Sequence, residues 1–307
     1  MRIITFLIVV LLFSCKSEKK EIKKQPYILI LGSAQDGGYP QAGCLKDCCK
    51  IAWEEPKYSQ KISSLAIIDP ANNKQWVIDA TGDFKSQLSL LEQKTSSNNL
   101  DGIFLTHAHI GHYLGLAQLG REVMGNKKTF VYCMPKMKDF LSNNGPWDQL
   151  IKLENIELKN LKNKTTIVLS PNISIRPFLV PHRDEYSETV GFKISTKNKK
   201  LIYIPDIDKW NLWDENIVDI IKTVDYALID GTFYKDGELG RDMSTIPHPF
   251  VKESMELFKD LSKLDKNKIF FTHLNHTNPL LQKNSVEQIE LRNKGYNFAK
   301  DNLIIDL

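Results

Sequence analysis

Three of the chain's seven histidines fall within six residues, in Leu105-Thr106-His107-Ala108-His109-Ile110-Gly111-His112-Tyr113, directly behind the apolar run Ile103-Phe104-Leu105. The apolar run reads as a buried strand. In extended backbone residues i and i+2 share a face, so His107 and His109 point to one place. Helical spacing from Tyr113 to Met124 follows, and a turn there brings His112 round to the same point. Imidazoles converging at the end of a rigid strand suit zinc, iron or manganese. A surface turn that merely happens to contain histidines does not account for this spacing.

The rest of the chain must supply a scaffold for that point. Short apolar strands recur at Tyr27 to Leu31, Leu65 to Ile68, Trp76 to Ile78, Phe130 to Cys133, Thr166 to Leu169, Ile173 to Val180, Val190 to Ser195, Leu201 to Ile204, Ala227 to Ile229 and Ile269 to Phe271. Helical segments lie near Asp83 to Gln93, Lys136 to Leu141, Glu215 to Lys222 and Val251 to Leu261. No linker divides the two strand-rich halves, and 307 residues with 42% hydrophobic content suffice for a full core. The pattern predicts an α+β sandwich over 27–307, with helices outside packed sheets. The other chemistry-bearing residues also follow strand-like runs: His182 after Phe178-Leu179-Val180-Pro181, Asp206 after Leu201-Ile202-Tyr203-Ile204-Pro205, and His273 and His276 after Ile269-Phe270-Phe271. His248, between Pro247 and Pro249, precedes a helix. Charge is a modest +4 with lysines scattered among acids, so no basic stripe argues for nucleic acid as partner.

The N-terminus carries an address. Met1-Arg2, the apolar run Ile3 to Phe13 and a polar stretch from Lys16 to Lys24 read as a secretory signal, too short in its apolar part to span a bilayer as a mature helix. Leu12-Phe13-Ser14-Cys15 looks like a bacterial lipobox, which implies residues 1–15 as signal peptide, lipidation of Cys15 and a flexible tether over 16–26. The expected product is an exported lipoprotein, membrane-anchored and facing the periplasm or the cell surface.

Taken in order, strand–His-x-His-x-x-His–helix, then a strand-end His, a strand-end Asp and a final strand-end His, the chain resembles the metallo-β-lactamase fold hydrolases. Leu31-Gly32-Ser33-Ala34-Gln35-Asp36-Gly37-Gly38-Tyr39-Pro40-Gln41 and Thr272 to Pro279 are similar to the branch that contains coenzyme PQQ synthesis protein B. The resemblance spans 27–307 and implies a four-layer αββα sandwich with one or two divalent ions, zinc foremost. It implies His107, His109 and His182 as ligands of one ion, His112 and His273 (alternatively His276) as ligands of a second, and Asp206 bridging. His248 is implied as an acid–base group.

The chain departs from the family at Gly111, where an aspartate is usual. Either the centre then holds nearer one equivalent of metal than two, or another carboxylate reaches in, Asp36 and Asp208 being the candidates. Cys44, Cys48 and Cys49 form a separate cluster: the resembled branch implies a structural zinc, while an oxidising compartment favours a disulfide between Cys44 and one of the other two. Cys133, in an apolar run, reads as a small core residue. Three functions fit: a metal-dependent hydrolase of a small ester, phosphodiester or lactone-like substrate; an iron-dependent oxygenase-type enzyme related to the PQQ branch; and a non-catalytic lipoprotein that binds metal or a small ligand. Oligomeric state is not written in the sequence.

Overall fold

Strands that are apolar on both faces must be covered on both faces, and the computed structural model, which describes residues 25–183 and 185–307, does so with four layers. The signal segment and Cys15 lie outside the described residues. One sheet contains β1 (Tyr27–Gly32), β2 (Ser64–Asp69), β3 (Lys74–Ile78), β4 (Gly102–Phe104), β5 (Thr129–Cys133) and β6 (Ile156–Asn160). The other contains β7 (Ile167–Ser170), β8 (Ile173–Leu179), β9 (Val190–Ser195), β10 (Lys200–Ile204), β11 (Tyr226–Asp230), β12 (Ile269–Thr272) and β13 (Asn297–Phe298). The last strand, β14 (Ile304–Asp306), returns to the first sheet and pairs antiparallel with β1, giving the orders β14-β1-β2-β3-β4-β5-β6 and β13-β12-β11-β10-β9-β8-β7.

Alternation along each strand divides its residues between two cores. Ile28, Ile30, Leu65, Ile67, Trp76, Ile78 and Phe104 face inward and meet Ile175, Phe192, Ile194, Leu201, Tyr203 and Leu228 of the second sheet. Leu29, Leu31, Val77 and Ile103 face outward, against helices α2 (Phe84–Thr95), α4 (Pro135–Asn143) and α5 (Trp147–Lys152), with α1 (Asp47–Glu54) preceding α2 and α3 (Ile110–Tyr113) following it in the chain. On the far side Ile202, Ile204, Ala227, Ile229 and Phe271 pack on α6 (Ile217–Lys222), α7 (Val251–Leu257) and α9 (Val286–Asn293), with α8 (Lys263–Asn267) leading into β12. This is the expected αββα sandwich. Cys133 is fully buried in it.

The expected helix over Tyr113 to Met124 is broken. After α3 the chain runs as a 3-10 turn over Leu114–Leu119, because Gly115 N donates to Ala80 O at 2.8 Å and ties the segment to the end of β3. Between α4 and α5 the chain makes a short turn over 144–146, and the Trp147 ring lies tilted with its centroid 4.8 Å from that of Tyr113 in the core.

Candidate metal centre

Strand direction alone places the site. β2 is antiparallel to both β1 and β3, and β4 is parallel to β3, so β1, β3 and β4 point the same way. By the same argument through β9, strands β8, β10, β11 and β12 share a direction. Asp36 follows β1, Asp79 follows β3, and His107 and His109 follow β4. His182 follows β8, Asp206 follows β10, Asp230 closes β11, and His273 follows β12. Every one of these groups therefore lies at or past the C-terminal end of its strand, where α/β folds collect their ligands.

His107, His109 and His182 bring one ligand atom each within 4.8 Å of one another, and Asp36, His112 and His273 do the same. Asp206 stands between the two sets. Its Oδ2 is 3.1 Å from His112 Nε2, 3.2 Å from His273 Nε2 and 3.8 Å from His107 Nε2, and its Oδ1 is 3.7 Å from His182 Nε2. His107 Nε2, His112 Nε2, His182 Nε2, His273 Nε2, Asp36 Oδ1 and Asp206 Oδ2 are all buried without a hydrogen-bond partner. An unsatisfied buried polar atom costs about 1–3 kcal/mol. Six around one point are unfavourable unless a cation takes their lone pairs, and imidazole nitrogen with carboxylate oxygen is the donor set of a borderline divalent metal.

The opposite ring nitrogens are held from behind. Thr106 Oγ1 lies 3.0 Å from His107 Nδ1, and Asp79 Oδ2 lies 2.8 Å from His112 Nδ1 while Asp79 Oδ1 accepts from Thr106 N at 2.8 Å. Asp208 Oδ1 lies 3.0 Å from His182 Nδ1, and Thr232 Oγ1 lies 3.0 Å from His273 Nδ1. Such partners fix the tautomer that leaves Nε2 free for a metal. Thr106 is recognisable from the sequence beside the histidine motif, and Asp79 as the carboxylate after the Trp76 to Ile78 strand. Asp230 and Thr232 are not, although they repeat the device: Thr232 Oγ1 donates to Asp230 Oδ1 at 2.7 Å, and Asp230 Oδ2 holds His248 Nδ1 at 2.7 Å. The signal was available in Asp230, a carboxylate ending an apolar strand as Asp79 follows one. Backbone strain accompanies the site, since Asp79 (φ 65°) and His273 (φ 59°) both sit in the left-handed region.

Charge follows burial and neighbours. Burial holds His107 well below its usual pKa, with the adjacent imidazole of His112 adding to the effect. Burial opposes the charged form of His112 too, but Asp79, Asp206 and Asp36 outweigh it and raise the group well above its usual value. Asp206, despite full burial, is held well below the carboxylate range by His273, His112 and His107. For His248, burial is overcome by Asp230 and then Asp206 and Asp36, which lift it to about 9. His248 Nδ1 is 3.7 Å from Asp206 Oδ1, so this histidine is brought to the site although it precedes α7 rather than following a strand.

The glycine at position 111 has a spatial explanation. A Cβ there would meet Asp36 Oδ1 at 2.3 Å, Asp36 Cα at 2.7 Å and Asp36 Cβ at 2.8 Å. Asp36 thus fills the space of the absent side chain, and its Oδ1 lies 3.2 Å from His112 Nε2 and 3.6 Å from His273 Nε2. Of the two substitute carboxylates considered, Asp208 is the wrong one, because it is committed to the back of His182. The argument for nearer one metal equivalent, which rested on a missing carboxylate, loses its ground.

His276 is likewise removed from the centre. The turn after β12 sends its ring the other way, so that Nδ1 lies 3.3 Å from Cys49 Sγ and 3.7 Å from Cys48 Sγ. Cys44, Cys48, Cys49 and His276 offer four ligand atoms within 4.8 Å of one another. All three thiols are free, with Cys44 Sγ 3.7 Å from Cys48 Sγ. Three sulfurs and a ring nitrogen at this spacing fit tetrahedral zinc and supply the fourth ligand that the cysteines alone lacked.

Comparison with known proteins agrees with this geometry. Residues 74–274 match the family model described as a beta-lactamase superfamily domain. Coenzyme PQQ synthesis protein B of Methylorubrum extorquens (strain PA1) is 26% identical over 306 residues, covering 92% of this chain and all of that protein. Among solved structures, zinc-bound PqqB from Methylobacterium extorquens is 25% identical with a TM-score of 0.77, covering 92% of this chain and all of that one. A diphosphatase of the PhnP family, at 19% identity, 92% and 97% coverage and a TM-score of 0.66, shares the fold.

Proposed function

The chain belongs to the beta-lactamase superfamily domain family, and on that premise we propose that it is a metal-dependent hydrolase of a small ester, phosphodiester or lactone-like substrate. One observation carries the reading: six buried, partnerless donor atoms converge on one point. His107, His109 and His182 would hold one ion, and Asp36, His112 and His273 a second, with Asp206 shared. Divalent ions held there would lower the pKa of a bound water and polarise the scissile bond. The protein's own part is orientation and proton handling. Asp79, Thr106, Asp208 and Thr232 keep the ligand rings aimed inward. His248, proton-bearing and fixed at Nδ1 by Asp230, leaves Nε2 as the atom from which a departing oxygen takes its proton.

A second reading is favoured by the PQQ synthesis protein B relatives, which run over 92% of the chain: an iron enzyme of the oxygenase type, since histidines with a carboxylate also suit iron(II). Elemental analysis of protein purified with and without air, together with a screen of chromogenic phosphodiesters, esters and lactones, separates the two. Zinc or manganese with turnover lost in His107→Ala supports the hydrolase. Bound iron with oxygen uptake and a silent screen overturns it. The lipobox-like segment ending at Cys15 supports placing this enzyme on a membrane surface outside the cytoplasm, and radiolabelled fatty-acid incorporation that disappears in Cys15→Ala is the corresponding check.

A further inference from the structure

Asp36 and His273 serve the same half of the centre, yet each sits on a segment with little regular structure. Asp36 lies on the glycine-bearing loop after β1, and His273 on the strained turn after β12. The two segments are stitched together on the side nearest the strands, where Leu274 N donates to Ser33 O at 2.9 Å and Gln35 N donates to Leu274 O at 2.9 Å. Beyond Asp36 the loop passes Gly37 and Gly38, is pinned once where Tyr39 and Gln60 exchange backbone hydrogen bonds at 2.9 and 2.7 Å, and passes Gly43 before it reaches Cys44. Beyond His273 the chain needs only three residues to reach His276. The cysteine cluster is where these two runs meet again: Cys48 and Cys49 face His276, and Gln282 Nε2 donates to Cys48 O at 3.0 Å.

Asp36 and His273 are therefore bracketed, by a short backbone ladder on one side and by a thiol–imidazole cluster on the other. We propose that the Cys44–Cys48–Cys49–His276 cluster, when it holds its ion, is the positioning device for the Asp36–His112–His273 subsite. The cross-link shortens the loop that carries Asp36 and limits the excursions of its ends. It acts on Asp36 and His273 through the chain and touches neither. The His107–His109–His182 subsite hangs on the ends of β4 and β8 and, among the described residues, has no such link to the cluster, so the coupling is selective. The inference rests on the two-ion reading given above.

Cobalt(II) loading of metal-free protein tests it, because thiolate–cobalt bands report the cysteine cluster separately from the histidine–carboxylate subsites, and elemental analysis gives the total. Wild-type protein is expected to take three equivalents. Cys49→Ser is expected to lose the thiolate bands and also to bind at the Asp36 subsite at least tenfold more weakly, while the His107 subsite keeps its affinity. His276→Cys alone, which preserves four ligands, is expected to keep both the thiolate bands and the affinity at the Asp36 subsite. A Cys49→Ser protein that loses the thiolate-bound ion alone overturns the proposal. Wild-type protein that fills the cysteine cluster but never the Asp36 subsite also overturns it, together with the two-ion reading, and is distinguished because the wild type itself falls one equivalent short. Should Cys49→Ser not fold, titration of folded, zinc-loaded wild type with a mercurial decides: release of two equivalents supports the coupling, and release of one refutes it.

Discussion

Placing a methyl group at position 111 tests the idea that Asp36 has taken over the space of the family's missing side chain. In Gly111→Ala the new Cβ meets Asp36 Oδ1 at 2.3 Å, Cα at 2.7 Å and Cβ at 2.8 Å. Two of these three atoms are not the free end of a flexible chain, so the loop itself must retreat. Overpacking of this kind costs about 1–3 kcal/mol, or a Tm lowered by about 2–4 °C for each kcal/mol in a chain of this size. The retreat also draws Asp36 Oδ1 away from His112 and His273, so metal at that subsite weakens while the His107 subsite does not. Gly111→Asp adds a second carboxylate beside the first, an extra repulsion of up to about 4 kcal/mol at 4 Å for an effective dielectric of 20. Combining the change with Asp36→Gly removes both problems. A double-mutant cycle by urea denaturation is therefore expected to show coupling of about 1–3 kcal/mol between positions 36 and 111, and Asp36→Gly/Gly111→Asp should recover the second metal equivalent that Asp36→Gly lacks. If Gly111→Ala lies within about 0.5 kcal/mol of wild type and adds simply to Asp36→Gly, the steric argument is wrong.

Two further outcomes follow from buried carboxylates. Asp79→Asn keeps an acceptor for Thr106 N but loses the charge beside His112 Nδ1; isothermal titration should show metal affinity at the second subsite falling about 10–100-fold with the fold intact. Asp301 is lifted to about 6 by burial, against the pull of Lys61. Its folded pKa exceeds the unfolded one, so the folded state binds the proton more tightly and stability falls as pH rises from about 4 to about 6, by roughly 2–3 kcal/mol. Denaturation midpoints across that range should flatten in Asp301→Asn, and an unchanged slope would remove Asp301 as the cause.

How much of this was legible along the chain differs by distance. Strands such as Tyr27 to Leu31 and Leu201 to Ile204 announce themselves because burial on both faces leaves continuous apolar runs, and they form where expected. β6, β13 and β14 are quieter: β13 and β14 are short, and β6 carries Glu157 and Lys159 at a sheet edge, where charge is tolerated. The helix after Tyr113 failed because a hydrogen bond from Gly115 to Ala80, 35 residues earlier, outweighs local periodicity.

The site divides in the same way. His107, His109 and His112 reveal a metal locally, because two-residue spacing on a strand already fixes which side chains share a face. His182, Asp206 and His273 could be nominated from their places at strand ends. Their meeting with His107 depends on one sheet packing against the other, and no spacing along the chain encodes that. Distance in space also separated His273 from His276, three residues apart, since the left-handed backbone at His273 turns one ring to the carboxylates and sends the other to the thiols. Gly111 is the clearest case. Along the chain it is a ligand lost; in the fold it is the vacancy that Asp36, 75 residues earlier, occupies.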